Sequence, residues 1–168
     1  MRNISIPYVA VYVYCCRLLS LELILHILKH CGSHFTSSDR MIHIIRSYLC
    51  VSLLGNCTSH EVQVVSLSLQ VFLALMESFK EHLKSELEIF VTTIFLRILE
   101  SENSSTDHKI RVLEVFANIC RDHILLVEIF VNYDCDFEAI DLFRRIVDGF
   151  AKIAKVRVIS SVYLFTLF

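Results

Sequence analysis

The residues best suited to chemistry in this sequence are a cysteine, an aspartate and a histidine that lie close together in one segment. Cys120, Asp122 and His123 can all bind a metal ion, and two acids and a thiol follow at residues 134–136. Zinc sites usually show paired cysteine or histidine spacings, whereas this is a single half-motif on a predicted helix. The pattern favours a buried thiol beside a surface histidine, and we predict no metal site.

Motifs for phosphate binding and nucleophilic catalysis are also missing from the sequence. Its three glycines stand at positions 32, 55 and 149, too far apart to form a phosphate-binding loop. Neither G-x-S-x-G nor H-E-x-x-H occurs. The seven cysteines are odd in number and lie within apolar helical patterns, which is typical of reduced thiols. We therefore predict no catalytic residue and no cofactor.

The composition predicts a compact helical protein. Three glycines and one proline among 168 residues are too few for the many turns of a β-sandwich or barrel. Hydrophobic residues make up 55% and charged residues 20%, which argues against disorder. The net charge of −2 gives no electrostatic basis for binding nucleic acid.

Apolar residues at helical spacing predict seven helices joined by short polar links. The first four span about 17–31, 38–55, 61–82 and 85–100, and the last two about 125–133 and 137–155. The fifth is predicted to be capped by Asp107 and to bury Ile110, Leu113, Phe116, Ala117 and Cys120. The seventh is predicted to bury Ile140, Phe143, Val147, Phe150 and Ala154.

Broad apolar stripes on consecutive helices favour antiparallel hairpins stacked side by side. No repeat period is visible in the sequence. The predicted fold class is therefore all-α, as an irregular armadillo-like or HEAT-like α-solenoid of about seven helices. A globular helical bundle is the alternative.

The sequence predicts no helix that spans a membrane. A spanning helix needs roughly 17 to 20 predominantly apolar residues. The longest stretch without Asp, Glu, Lys or Arg, 62–76, carries four polar residues, and the shorter stretch 3–16 carries Pro7. The apolar tail at 156–168 is too short to cross.

The most distinctive polar segment lies between the last two predicted helices, and we call it the 132–136 corner. It consists of Asn132, Tyr133, Asp134, Cys135 and Asp136. Asp136 is predicted to cap the seventh helix. A second acid two residues earlier is not needed for that cap, so Asp134 is predicted to serve recognition.

The stretch from Ser20 to about Lys155 resembles the homology-upstream (HUS) region of the large Arf guanine-nucleotide exchange factors, and in particular the brefeldin-A-inhibited subfamily of the trans-Golgi network. The matching residues are 19–23 (LSLEL), 48–50 (YLC), Phe90, 94–96 (IFL), 98–100 (ILE) and 131–136 (VNYDCD). The last of these looks like that family's HUS box. It is the most specific piece of the resemblance.

The resemblance implies a non-catalytic regulatory segment, since the exchange domain would lie outside this chain. It further implies contact with an upstream dimerisation and cyclophilin-binding segment, a relation to Arf-family GTPases, and peripheral membrane association through the parent protein at the Golgi and trans-Golgi network. The implied function is regulation in vesicle-mediated transport. A generic α-solenoid scaffold unrelated to Arf and a small membrane-associated helical protein are the alternatives.

The resemblance also divides the chain into three parts. Residues 17–155 form the predicted HUS-like domain. Residues 1–16 are an atypical apolar N-terminus that need not be native, and residues 156–168 are an atypical apolar tail. Because both ends depart from the family pattern, we expect a truncated or mis-spliced gene product.

Overall fold

The computed structural model describes residues 6–101, 104–135 and 141–156, and every regular element in these ranges is a helix. The predicted all-α class is confirmed. The described residues fall into two compact units that divide between Leu83 and Lys84. The stacking of hairpins into a solenoid stays a prediction.

The first unit is organised around one central helix. Its helices are α1 (Ile6–His30), the short α2 (Ser33–Thr36), α3 (39–57) and α4 (Val62–Phe79), which a 3₁₀ turn (Lys80–His82) follows. Both α1 and α3 pack against α4. Because α4 has neighbours on two sides, most of its length is buried, including Val64, Val65, Leu69, Phe72 and Leu75. This burial accounts for its nearly continuous apolar sequence.

Polar side chains connect α1 to the rest of the first unit. The Tyr14 hydroxyl donates to Oε1 of Gln63 at 2.6 Å, and the Arg17 guanidinium donates to Oδ1 of Asn56 at 2.7 Å. Tyr14 lies upstream of the predicted start of the first helix, since α1 begins at Ile6 rather than near Arg17.

Two helices of the first unit are long and apolar enough to cross a membrane by length and composition, namely residues 8–30 of α1 and all of α4. The prediction of no such helix was wrong, because it counted only charge-free stretches, whereas α1 carries an isolated Arg17 and Glu22. More than half of α4 is buried inside the protein, so α4 is a core helix. In α1, by contrast, only 17% of the most apolar 18-residue stretch is buried.

The second unit contains α5 (84–100), α6 (Thr106–Arg121), α7 (123–134) and α8 (Leu142–Val156). Aromatic rings form its centre: the Phe95 and Phe116 rings lie 5.0 Å apart, and the Phe116 and Phe150 rings meet edge to face at 5.1 Å. Helix α8 packs closely on α5, where a Cβ atom added to Gly149 would lie 3.2 Å from Cδ2 of Leu96.

The buried faces of α6 and α8 differ from the predicted ones. In α6 the buried residues are Val112, Val115, Phe116 and Ile119, whereas Cys120 is exposed. In α8 the buried residues include Leu142 and Ile146, whereas Val147 is 49% exposed. Ile140 lies outside the described residues, as do the surroundings of the Ala154 side chain. Each helix carries one broad apolar stripe, and such a stripe defines the inward face only to within about one residue.

The start of α6 corrects another prediction. The cap is Ser105, whose hydroxyl accepts from the His108 N–H at 3.3 Å, and Asp107 lies in the first turn. A serine before the helix accepts from an N–H group that has no partner within the helix. The negative Asp107 carboxylate lies near the positive end of the helix dipole, which stabilises the helix.

Three of the long helices contain a wider π-type turn. These turns are Ile45–Leu49 in α3, Val91–Phe95 in α5 and Phe130–Asp134 in α7. At the end of each turn an N–H reaches back five residues, as from Cys135 to the carbonyl of Phe130 at 3.2 Å. Such turns are uncommon and frequently occur at functional sites.

Candidate functional site

The 132–136 corner begins inside the π-type turn that ends α7. Asn132, Tyr133 and Asp134 belong to this turn, and Cys135 follows it. Tyr133 is 4% exposed, Asp134 is half-buried and Cys135 is exposed. Asp136 and the surroundings of the Asn132 side chain lie outside the described residues.

Tyr133 joins the end of α7 to the start of α5. Its hydroxyl donates to the backbone carbonyl of Lys84, the first residue of α5, at 2.7 Å. The Lys84 Nζ lies 5.6 Å from the centre of the Tyr133 ring, a cation–π distance. The tyrosine therefore contacts both the backbone and the side chain of one residue.

The surroundings of Tyr133 keep its hydroxyl protonated. Burial raises the pKa of Tyr133, and the nearby carboxylates of Glu88 and Glu86 raise it further. A protonated hydroxyl can donate, as the bond to the Lys84 carbonyl requires. The electrostatics and the hydrogen bond thus favour the same state of the side chain.

Asp134 holds the start of α8. Its Oδ2 accepts from the N–H of Phe143 at 2.8 Å, and its Oδ1 accepts from the N–H of Arg144 at 3.1 Å. These are N–H groups of the first turn of α8, which have no partner within the helix. The negative carboxylate also lies at the positive end of the helix dipole.

This arrangement corrects the prediction made for the two acids. Asp134 was predicted not to be needed for the cap. This was wrong, because its carboxylate accepts from two N–H groups in the first turn of α8. The described part of α8 begins at Leu142, not near residue 137, and Asp136 lies outside the described residues. A direct contact between the corner and a partner stays a prediction.

Phe130 and Phe143 pack against each other beside the corner. Their rings pack edge to face, with centroids 5.8 Å apart. Together with Tyr133 and Asp134, this contact fixes the end of α7 against the starts of α5 and α8. The corner's partners are the Lys84 carbonyl and the N–H groups of Phe143 and Arg144. These partners lie nine or more residues away in the sequence, so no local motif predicted them.

The side chains in the described ranges include no group of three or more histidine, cysteine or acidic residues that could hold a metal ion. Cys120 and His123 are both exposed, so the expected buried thiol beside a surface histidine was wrong for the thiol. The hydrogen bonds of the corner join α7 to α5 and α8.

An exposed apolar stripe lies on α7, immediately before the corner. Ile124, Val127 and Val131 are each more than half exposed. Their spacings of three and four residues place them on one face of the helix. The same helix buries Leu125 and Ile129 in the core of the second unit, so α7 is apolar on two faces.

The described residues form an all-α protein, and the side chains of the corner hold its helices together. Comparison with protein families gives the same class, since the model of the Mon2/Sec7/BIG1-like HUS domain matches residues 12–142. The chain therefore belongs to this HUS-domain family, as the resemblance implied.

Relatives of known name carry the same segment. The chain is 45% identical over 141 residues to brefeldin A-inhibited guanine nucleotide-exchange protein 1 of Rattus norvegicus and of Homo sapiens, which covers 84% of the chain. It is 37% identical over 140 residues to brefeldin A-inhibited guanine nucleotide-exchange protein 3 of Arabidopsis thaliana, which covers 83% of the chain. The matched stretch spans 8% of the length of each of these relatives.

Proposed function

We propose that this chain is a non-catalytic regulatory segment of an Arf guanine-nucleotide exchange factor that acts in vesicle-mediated transport. The observation that carries the proposal is the match of residues 12–142 to the HUS domain. The relatives are exchange proteins by name, and the matched family model is the HUS domain. The proposed location is the cytoplasmic side of the Golgi and trans-Golgi network, as a peripheral membrane protein.

The segment would act by binding another helical segment of the same family, namely the upstream dimerisation and cyclophilin-binding segment. Two observations support this partner. The relatives are many times longer than the chain, which leaves ample sequence to supply one. The stripe of Ile124, Val127 and Val131 is exposed in the second unit, and exposed aliphatic stripes mark protein interaction sites.

In this proposal the corner and the stripe have separate tasks. The corner fixes α7 against α5 and α8 through Tyr133 and Asp134. The stripe, on the outer face of the same helix, contacts the partner. The corner therefore stabilises the position of α7, and the stripe makes the contact with the partner.

The test measures binding of the purified chain to the region of the rat exchange protein that precedes the matched stretch. We expect Val127→Ser with Val131→Ser to weaken binding strongly, since both side chains are exposed and would be buried by the partner. Val147→Ser is the matched control, because Val147 is an equally exposed valine on α8. Equal binding by all three proteins would contradict the proposed surface, and no binding by the unmodified chain would contradict the proposed function.

A further inference from the structure

Two adjacent cysteines lie on the outer face of α1. Cys15 and Cys16 are both exposed, and neither has a role in the corner or in the stripe on α7. Adjacent Cα atoms are about 3.8 Å apart, which is shorter than the roughly 4.4–6.8 Å that a disulfide usually spans. A bridge between these two residues within a helix is therefore excluded by geometry. Both cysteines are exposed, and the Cys16 side chain is hydrogen-bonded to the Tyr12 side chain on the same face of α1.

The surface around this pair is apolar. Tyr8, Tyr12, Leu19 and Leu23 are each more than half exposed. Their spacings place them with the two cysteines on one side of α1. The opposite side carries the buried residues Leu21, Leu25 and Leu28, which belong to the core of the first unit.

Charge is absent from the part of this surface that carries the thiols. No charged residue occurs between Tyr8 and Cys16. The next cation, Arg17, donates to Asn56 in the first unit and is thereby held on the packed side of α1. The helix is apolar enough to enter a membrane, and only 17% of residues in its most apolar window are buried.

From these observations we propose that Cys15 and Cys16 form an S-acylation site for a long-chain fatty acid. Cysteines beside a membrane or on an amphipathic helix are acceptors for this modification. Cys15 and Cys16 lie on the exposed apolar side of α1, opposite its buried residues. The attached chains would extend over the exposed apolar side of α1 and into a bilayer. One acyl chain gives only marginal, reversible membrane binding, so two chains on an apolar helix would supply the further signals that stable attachment needs.

The reaction is a thioester exchange with a fatty acyl-coenzyme A, catalysed by a membrane acyltransferase. The deprotonated sulfur of Cys15 or Cys16 attacks the thioester carbonyl carbon, and a new sulfur–carbon bond forms. The bond from that carbon to the coenzyme A sulfur breaks, and coenzyme A leaves and takes up the proton. No atom is oxidised or reduced. The inference does not depend on the proposed function.

The experiment expresses the full chain in cultured animal cells that are fed an alkynyl analogue of palmitate. We expect a label that hydroxylamine removes, as it does a thioester, and that is lost in the variant Cys15→Ser with Cys16→Ser. Cys120→Ser with Cys135→Ser is the matched control, because those cysteines are exposed in the second unit, and it should keep the label. An unlabelled wild-type chain, or a label that persists without Cys15 and Cys16, would overturn the proposal.

A second measurement keeps the result independent of folding in the variants. Mass spectrometry of the labelled wild-type chain should place the acyl group on the peptide that contains Cys15 and Cys16. An acyl group found only on other cysteines would overturn the assignment. A label on this peptide, together with flotation on lipid vesicles that hydroxylamine abolishes, would support it.

Discussion

At the scale of single residues, two side chains of the 132–136 corner bind backbone groups of other helices. Tyr133 donates to the Lys84 carbonyl, and Asp134 accepts from the N–H groups of Phe143 and Arg144. These contacts require a phenol and a carboxylate at adjacent positions of a turn.

Replacement of Asp134 by alanine should destabilise the protein. The change removes the acceptor for two N–H groups of α8, and the loss of a cap typically costs about 0.5–2 kcal/mol. Asp134→Asn keeps an acceptor oxygen and should cost less. Urea unfolding measures both, with Cys135→Ser as a control because that side chain is exposed and should be nearly neutral. An unchanged unfolding midpoint in Asp134→Ala would contradict the capping role.

The stability of the protein should depend on one buried thiol at alkaline pH. Burial raises the pKa of Cys57 to about 12, above its ordinary value of 9.0. Because the unfolded chain loses this proton first, the contribution of Cys57 to stability is full below pH 9 and is lost as the pH rises towards 12. Between pH 9 and pH 12 the free energy of unfolding of the wild type should fall by about 1.4 kcal/mol per pH unit more than that of Cys57→Ala.

The matched control for this pH profile is Cys135→Ala, since Cys135 is exposed. It should follow the wild-type slope from pH 9 upwards. Urea unfolding at a series of pH values gives the three slopes. A Cys57→Ala slope equal to that of the wild type would show that the thiol does not titrate differently on folding.

At the scale of elements, the sequence predicted most helices well and their contacts less well. Helix α4 and the turn after it were expected at 61–82 and occupy 62–82, because a buried helix between polar links has clear ends. The π-type turns were not predicted, since the extra residue has no sequence signature in these helices. The cap on α8 was missed because Asp134 lies nine and ten residues before its partners, beyond the reach of local capping rules.

The two helical glycines should respond oppositely to substitution. A Cβ atom at Gly55 would contact nothing within 4 Å, so Gly55→Ala should stabilise the protein by about 0.5–1 kcal/mol through helix propensity. At Gly149 a Cβ atom would already press on Leu96, so Gly149→Leu should destabilise by about 1–3 kcal/mol through overpacking. Thermal unfolding distinguishes the two, and a stabilised Gly149→Leu protein would contradict the close approach of α8 to α5.

At the level of the whole molecule, the fold class and the family could be predicted from the sequence. Apolar residues recur at helical spacing along most of the chain, and the VNYDCD segment lies within residues 12–142, which match the family model. The exposed stripe on α7 was not. Its valines and isoleucine have the same residue types as a buried face, and only the packing of the second unit shows that they point outward.

The purified chain should not promote nucleotide exchange on an Arf GTPase. Exchange requires a surface that opens the nucleotide site, and the family model matched here is the HUS domain. Release of labelled GDP from Arf should be the same with the chain as with buffer alone. Faster release with the chain would contradict the non-catalytic assignment.

The most direct test of the whole account compares two variants for their affinity to the upstream region of the rat exchange protein. The variants are Asp134→Ala and the double variant Val127→Ser with Val131→Ser. The Kd of each is measured at a temperature at which circular dichroism shows both variants to be folded. We predict that Asp134→Ala, altered in the corner, keeps the wild-type Kd per folded molecule, whereas the double variant, altered on the stripe, binds much more weakly. The opposite result, with binding lost in Asp134→Ala and kept in the double variant, would show that the corner itself contacts the partner.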